Sequence, residues 1–351
     1  MARTWLLCLA LASALALPLE VEAQQPVKLR ATIQVALTER LWGVALGRFK
    51  EEIEKRSEKT LSLEVFDKGT RYIDDAVVDA VASGAIEMGV AGLYQLAKKV
   101  PAIDMMEQPF LFNFDALIRA VVNPDSEVRT IIDTAVLENL GIRILWWQSL
   151  GNQIIVSKGR NLTEPGQIKG QRIRVYGETT AQLARSCGGT PFILSAFKMH
   201  DALRDKELDM VMCSIPAVPN RELWKVADTI TRTWHAPVEY VAMINEKAWQ
   251  SLSPSHQTLI GEVARKVERE VRDRLTEIEA EYYQFALGKG MKVYDLTPDQ
   301  VADWRACSAE VLDEFMSNHP EMARRLLAAY GRLRTEPCCS TAPNAELFSR
   351  R

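Results

Sequence analysis

Histidine is scarce in this 351-residue chain: four, at positions 200, 235, 256 and 319, too scattered for a His-rich metal centre. No two of the six cysteines have CxxC or other metal-type spacing. The P-loop, the GxGxxG fingerprint, HExxH and the GxSxG elbow are all missing. This weighs only lightly against an enzyme, because catalytic groups are assembled in space rather than along the chain. No run of five like charges occurs, and 43 Lys and Arg against 46 Asp and Glu leave a net charge of −3. That balance provides no basic field for nucleic acid. Beyond the N-terminus no eighteen consecutive residues are apolar, so no later segment reads as a membrane span. With 47% hydrophobic and 25% charged residues, the composition is ordinary for a globular protein and excludes disorder or a fibre for the bulk of the chain. The length favours two domains.

Residues 1–23 read as a signal peptide rather than as part of the fold. Arg3 supplies a positive start, Trp5 to Leu17 carries no charge, and Ala23 precedes the polar Gln24-Gln25-Pro26. The apolar run falls short of the ~20 residues that cross a bilayer. The mature chain is therefore expected to be exported, in the periplasm, and soluble. Five cysteines remain in it, at 187, 213, 307, 338 and 339. An oxidising compartment permits bridges, but a core of this size does not need them, so mostly buried free thiols are expected.

Strands alternate with helices along the chain, which implies βαβ units and a mainly parallel sheet. Strands are expected at 28–35, 61–66, 86–90 and 142–148, with helices near 41–53, 73–83 and 126–140. Pro109 to Phe112 is an apolar turn expected on the core. A second block opens at Gly151, with strands at 153–157, 171–176 and 208–213 and helices at 179–186 and 199–204. Val238 to Asn245 reads as a strand returning to the first block. Apolar residues at 259, 263, 267, 271, 275 and 278 mark one long helix from Ser253 to Leu287. About 33 residues at ~1.5 Å each give roughly 50 Å, enough to tie both blocks together. A further helix follows over 298–317, and the tail 335–351 is expected to be loose.

One segment carries chemistry. In Gln171-Arg172-Ile173-Arg174-Val175 the two arginines alternate along a strand while Ile173 and Val175 face a core. A guanidinium fixed beside such a core can hold a carboxylate through two parallel hydrogen bonds. Charge-assisted bonds contribute about 1.5–3 kcal/mol each, enough to orient a small acid. On spacing alone, two solvated arginines on an edge strand are the favoured reading of the pattern.

The order of several segments resembles the solute-binding receptors of TRAP (tripartite ATP-independent periplasmic) transporters, the DctP-type family, over residues 28–330. Gly84-Ala85-Ile86-Glu87-Met88-Gly89 resembles "G-x-I-E-M-G", and Gln108-Pro109-Phe110-Leu111-Phe112 resembles "L-P-F-L-F". Pro165-Gly166-Gln167-Ile168-Lys169-Gly170-Gln171-Arg172-Ile173-Arg174-Val175 resembles the most specific signature, "P-x-D-L-K-G-L-K-I-R-V". Gly188-Gly189-Thr190-Pro191, Ala202 to Asp209, and Asn245 to Leu252 follow in family order.

The resemblance implies an α/β fold of two lobes, an interdomain cleft and a long helix spanning both lobes. Lobe I would take 24–149 and 236–270, and lobe II 150–235 and 271–334. It implies a periplasmic receptor, with no enzyme activity, no cofactor and no metal. Such a receptor closes over a small organic acid and delivers it to the small and large membrane subunits of a transporter. A stand-alone carboxylate sensor, or an exported enzyme using Cys213 or His200, is the alternative. The resemblance assigns the carboxylate to Arg174 and leaves Arg172 to solvent. Gln153, Cys213 and Ser214 stand where relatives carry polar or cationic contacts, so the pocket is expected to be less charged and more apolar than one for a dicarboxylate or sugar acid. Trp42, Tyr94, Trp147 and Phe197 are candidate cleft walls; of Trp146 and Trp147, one is expected to face the core and the other the cleft. His235 is expected to be structural.

Overall fold

In the computed structural model, residues 26–112 and 114–340 are described. The expected signal peptide and the last eleven residues of the expected tail lie outside them. Ten strands are present among the described residues: β1 (Val27–Thr32), β2 (Leu61–Phe66), β3 (Met88–Gly92), β4 (Ile142–Ser157), β5 (Arg172–Val175), β6 (Thr190–Ile193), β7 (Met210–Ser214), β8 (Thr229–Arg232), β9 (Pro237–Asn245) and β10 (Lys292–Asp295). Their order is β2-β1-β3-β9-β4-β7-β5-β6, with β8 beside β4 and β10 beside β8. The outer strands of each half pair in parallel, as βαβ crossovers require, and the long β4 and β9 run antiparallel between them.

The sequence expected a break between two strands at Gly151; β4 instead runs sixteen residues through it. Its first part pairs with β9 in the first lobe and its last part with β7 and β8 in the second. Gly151 sits at φ +85° where the β4–β9 register shifts, between Ser149 and Asn152. A side chain would be strained there, so glycine marks the crossing without ending the strand.

Successive β4 residues face opposite layers. Trp146 packs on Phe49 of helix Trp42–Arg56, ring centroids 4.9 Å apart, and its indole donates to Gln148 Oε1 at 2.9 Å. Trp147 faces the other layer, donates to Asp133 Oδ1 at 2.9 Å, and lies 5.5 Å beneath the Arg129 guanidinium. Both tryptophans are fully buried in core, so the expectation that one faces the cleft does not hold. The reason is that this half of β4 is covered by helices on both faces.

The expected long helix is two, Pro254–Asp273 and Leu275–Gly288, meeting at Arg274. Ser253 caps the first through its side chain, and that helix buries Ile260, Val263, Val267 and Val271. The first helix packs on helix Trp42–Arg56 and on β4, and the second reaches the short helix Ala217–Asn220 and β10. The expected 298–317 helix also divides, into Pro298–Cys307 and Ala309–Asn318. A last helix, Pro320–Arg334, turns back to the first lobe, where Tyr330 donates to Leu111 O at 3.0 Å. Its packing on helices Asp115–Val121 and Glu127–Leu140 places it with lobe I, not with the lobe II span 271–334. Cys339, expected in a loose tail, is fully buried in the same core.

The cysteines are not all free. Cys187 and Cys307 form a disulfide with Cα atoms 5.3 Å apart, joining the end of helix Glu178–Ser186 to the end of helix Pro298–Cys307. Their separation of 120 positions in sequence hides this proximity, which only the folded second lobe creates.

Candidate functional site

Arg172 and Arg174 share a face of β5 but have different environments because they sit at different points along it. Arg172, near the start, pairs with Asp209, Nε to Oδ2 at 3.1 Å and Nη2 to Oδ1 at 2.9 Å, and stays partly exposed. Arg174 lies toward the C-terminal end, where open α/β sheets place ligands, and only 2% of its surface is exposed. Its Nε donates to Leu194 O at 2.9 Å and its Nη1 to Met212 O at 2.7 Å. Its guanidinium lies 4.4 Å above the Tyr176 ring. No carboxylate in the described residues forms an ion pair with it. Two neutral carbonyls therefore orient a buried charge without neutralising it.

Beside Arg174 is a small cavity of about 40 Å³. From the first lobe its walls are Trp42, Tyr94 and Tyr240, and from the second Arg174, Tyr176, Cys213, Ser214 and Arg221. The aromatic rings brace one another: Trp42 meets Tyr240 at 4.4 Å and Tyr94 meets Tyr176 at 4.8 Å, both edge-on. Burial pushes the phenols of Tyr94, Tyr176 and Tyr240 above their ordinary range, so they remain neutral donors. Burial also pushes the Cys213 thiol up to about 12, which leaves no thiolate to act as a nucleophile. A mouth of about 520 Å³ opens on one side past Arg174, Asp74, Asp104 and Ser195. Another, of about 530 Å³, opens past Lys68, Phe197 and Arg221.

The structure brings together Arg174, Cys213, Ser214, Tyr94 and Trp42 around the cavity, and puts Phe197 at its second mouth. It does not bring Gln153 or Trp147 there. Gln153 is fully buried and donates to Glu107 Oε2 at 2.8 Å. Glu107 is a buried acid that the sequence did not single out; burial pushes it up to about 8, so it stays protonated at neutral pH. Arg221, also missed, is the second cation on the cavity wall, and it corrects the expectation of a weakly charged pocket. No sequence signal marks it, since a lone arginine after a short helix resembles any surface residue. His235 is structural as expected: fully buried beside Thr233, with Thr233 Oγ1 at 2.7 Å from Nδ1, and held down to about 3 by burial. His200 is partly exposed beside Asp201, away from the cavity. Among the described residues no group of three or more His, Cys, Asp or Glu could hold a metal ion.

Residues 34–319 match the model of the family described as bacterial extracellular solute-binding protein, family 7 (DctP). The chain belongs to this family. A 2,3-diketo-L-gulonate-binding periplasmic protein of Escherichia coli is 23% identical, over 81% of this chain and 86% of its own. A C4-dicarboxylate-binding periplasmic protein of Vibrio cholerae is 22% identical, over 75% and 78%. Among solved structures, a TRAP periplasmic solute-binding protein of a Sulfitobacter species, with bound β-D-galacturonate, aligns with a TM-score of 0.81 at 18% identity, covering 87% of this chain and all of that one. The two-lobed α/β fold is thus that of the TRAP receptors. The relatives are binding proteins rather than enzymes, and so is this chain. No helix among the described residues is long and apolar enough to cross a membrane.

Proposed function

We propose that this protein is a periplasmic receptor, exported through the signal peptide at residues 1–23, that takes up a small organic acid between its lobes and hands it to the membrane subunits of a TRAP-type transporter. The observation that carries this reading is the buried Arg174 guanidinium, aimed by two carbonyls and left without an acid partner. An unpaired buried charge is costly, and a ligand carboxylate supplies the missing partner. The named ligands of relatives (a diketogulonate, C4-dicarboxylates, a galacturonate) are all acids, which supports the same class here. Cavity walls drawn from both lobes mean that a bound acid contacts both, which favours the closed arrangement.

The test is a thermal-shift screen of monocarboxylates, dicarboxylates, aromatic acids and uronic acids. At a hundredfold excess over Kd a true ligand adds about 2.7 kcal/mol of stability. Arg174→Ala should still fold, and should lose the shift and at least about a hundredfold in affinity, the worth of one or two charge-assisted bonds. Near-wild-type binding by that variant would refute the role of Arg174.

A further inference from the structure

The Arg221 guanidinium has no hydrogen-bond or ion-pair partner among the described residues. It rests 3.9 Å from the Phe197 ring centre and reaches both the inner cavity and its second mouth. The acids electrostatically nearest to it, Asp74 and Glu39, form no ion pair with it. Glu39 is engaged elsewhere: it accepts from Tyr282 Oη at 2.9 Å, from Leu41 N at 3.1 Å and from Gly43 N at 3.2 Å. Partial burial lowers the affinity of Arg221 for its proton, the mark of a charge that its surroundings do not compensate.

A third donor shares this condition. The Trp42 indole N–H, on the facing wall from the first lobe, is buried and without an acceptor. No carboxylate lines the inner cavity, so its two arginines give it two uncompensated positive charges. If the acid held by Arg174 were a plain hydrocarbon chain beyond its carboxylate, Arg221 and Trp42 would be desolvated against methylenes, which is unfavourable. The inner space, about 40 Å³, takes only a few water-sized groups, so the part of the ligand reaching from Arg174 toward Arg221 is short.

We infer that Arg221 is a specificity-determining residue for a bifunctional short-chain acid: one carboxylate on Arg174, and a second oxygen acceptor at the far end on Arg221. This rests on the acid-receptor reading above and sharpens it. The cost of leaving a donor site unfilled makes such a pocket reject the analogue that lacks the second oxygen more strongly than shape alone would.

The experiment is calorimetric titration of the full mature chain with length-matched pairs of three to six carbons, such as butyrate against succinate and 4-hydroxybutyrate. Wild type should bind the better bifunctional member of a pair at least tenfold more tightly than the plain acid. Arg221→Met, which keeps the length of the side chain and removes its donors, should erase that preference, weakening the bifunctional member at least tenfold more than the plain acid. Arg221→Lys should restore part of it, which a purely structural role on Phe197 would not do. Equal binding of both members by wild type, or an equal effect of Arg221→Met on both, overturns the inference while leaving the acid-receptor reading intact. Failure of every acid in this panel to bind overturns the inference, and failure of the aromatic and uronic acids as well overturns the receptor reading with it.

Discussion

Two buried residues near the cavity show how environment sets chemistry. Arg174 keeps its charge because carbonyls orient it, whereas Glu107 gives up its charge because only Gln153 reaches it. Glu107 holds its proton to about pH 8 in the fold and to about 4.5 when exposed. Between those values the unfolded chain releases the proton and the folded one does not, so this residue makes stability fall as pH rises from about 4.5 to about 8. Above that range the loss is complete and the slope ends. Melting curves of Glu107→Gln should lack this component: the variant should gain on wild type as pH rises from 5 to 8. Parallel curves would show that Glu107 is ionised in the fold. His235 works in the opposite direction. Held neutral down to about 3 against an ordinary 6.5, it withdraws stability as pH falls through that window.

At the scale of elements, the disulfide fastens two helices whose packing on each other is otherwise modest. Helix Pro298–Cys307 is ten residues with one fully buried side chain, Trp304, whose indole donates to Thr163 O at 3.3 Å. The Cys187–Cys307 bond closes a long loop in the unfolded chain, for which restricted entropy stabilises by roughly 2–4 kcal/mol. Replacing both cysteines with serine should lower the melting temperature by several degrees and leave ligand affinity nearly unchanged, because neither residue lines the cavity. Reduction of wild type should mimic the variant. An unchanged melting temperature on reduction would show that the bond is absent. The β4 strand teaches a related lesson. Gly151 reads as a stop in sequence, yet inter-strand hydrogen bonds on both sides carry the strand through it.

Across the whole molecule, the proposed function depends on how the lobes meet. A hydrogen bond crosses between them at the mouth of the cavity: Thr179 Oγ1 on helix Glu178–Ser186 donates to Asp104 Oδ1 at 2.7 Å. Such a bond exists only when the lobes are together, so it favours closure. Burial pushes the Asp104 carboxyl above its ordinary range, and one ordinary bond of this kind contributes about 0.5–1.5 kcal/mol net, or roughly twofold to tenfold in ligand affinity. Thr179→Val should weaken binding by that factor, chiefly through faster release, with the melting temperature of the ligand-free protein little changed. Stopped-flow release rates read this directly; wild-type rates in the variant would mean that the contact does not bias closure. The buried pair of Arg129 with Glu268, where Nη2 donates to Oε2 at 3.1 Å, has a different role. It fixes the crossing helix Pro254–Asp273 to helix Glu127–Leu140 within the first lobe.

Local rules were enough for much of this. Alternation and helical spacing marked the strands of the first lobe and its helices near 41–53, 73–83 and 126–140, but not the helices Asp115–Val121, Glu246–Gln250 and Pro320–Arg334; the alternation of Arg172 and Arg174 offered a carboxylate clamp, and the family resemblance chose Arg174. Those signals are carried by neighbouring residues, so the sequence holds them by itself. Short elements escaped: β6, β8 and β10 have four residues each, too few for a periodicity, and form only because a neighbouring strand offers them hydrogen-bond partners. The same holds at the site. Arg221 joins the cavity, Gln153 turns to Glu107, and Cys187 finds Cys307 because β4, β5 and β7 bring distant segments within a few ångströms. Burial, partner and charge are properties of a place in space, and for those residues only the tertiary structure decided it.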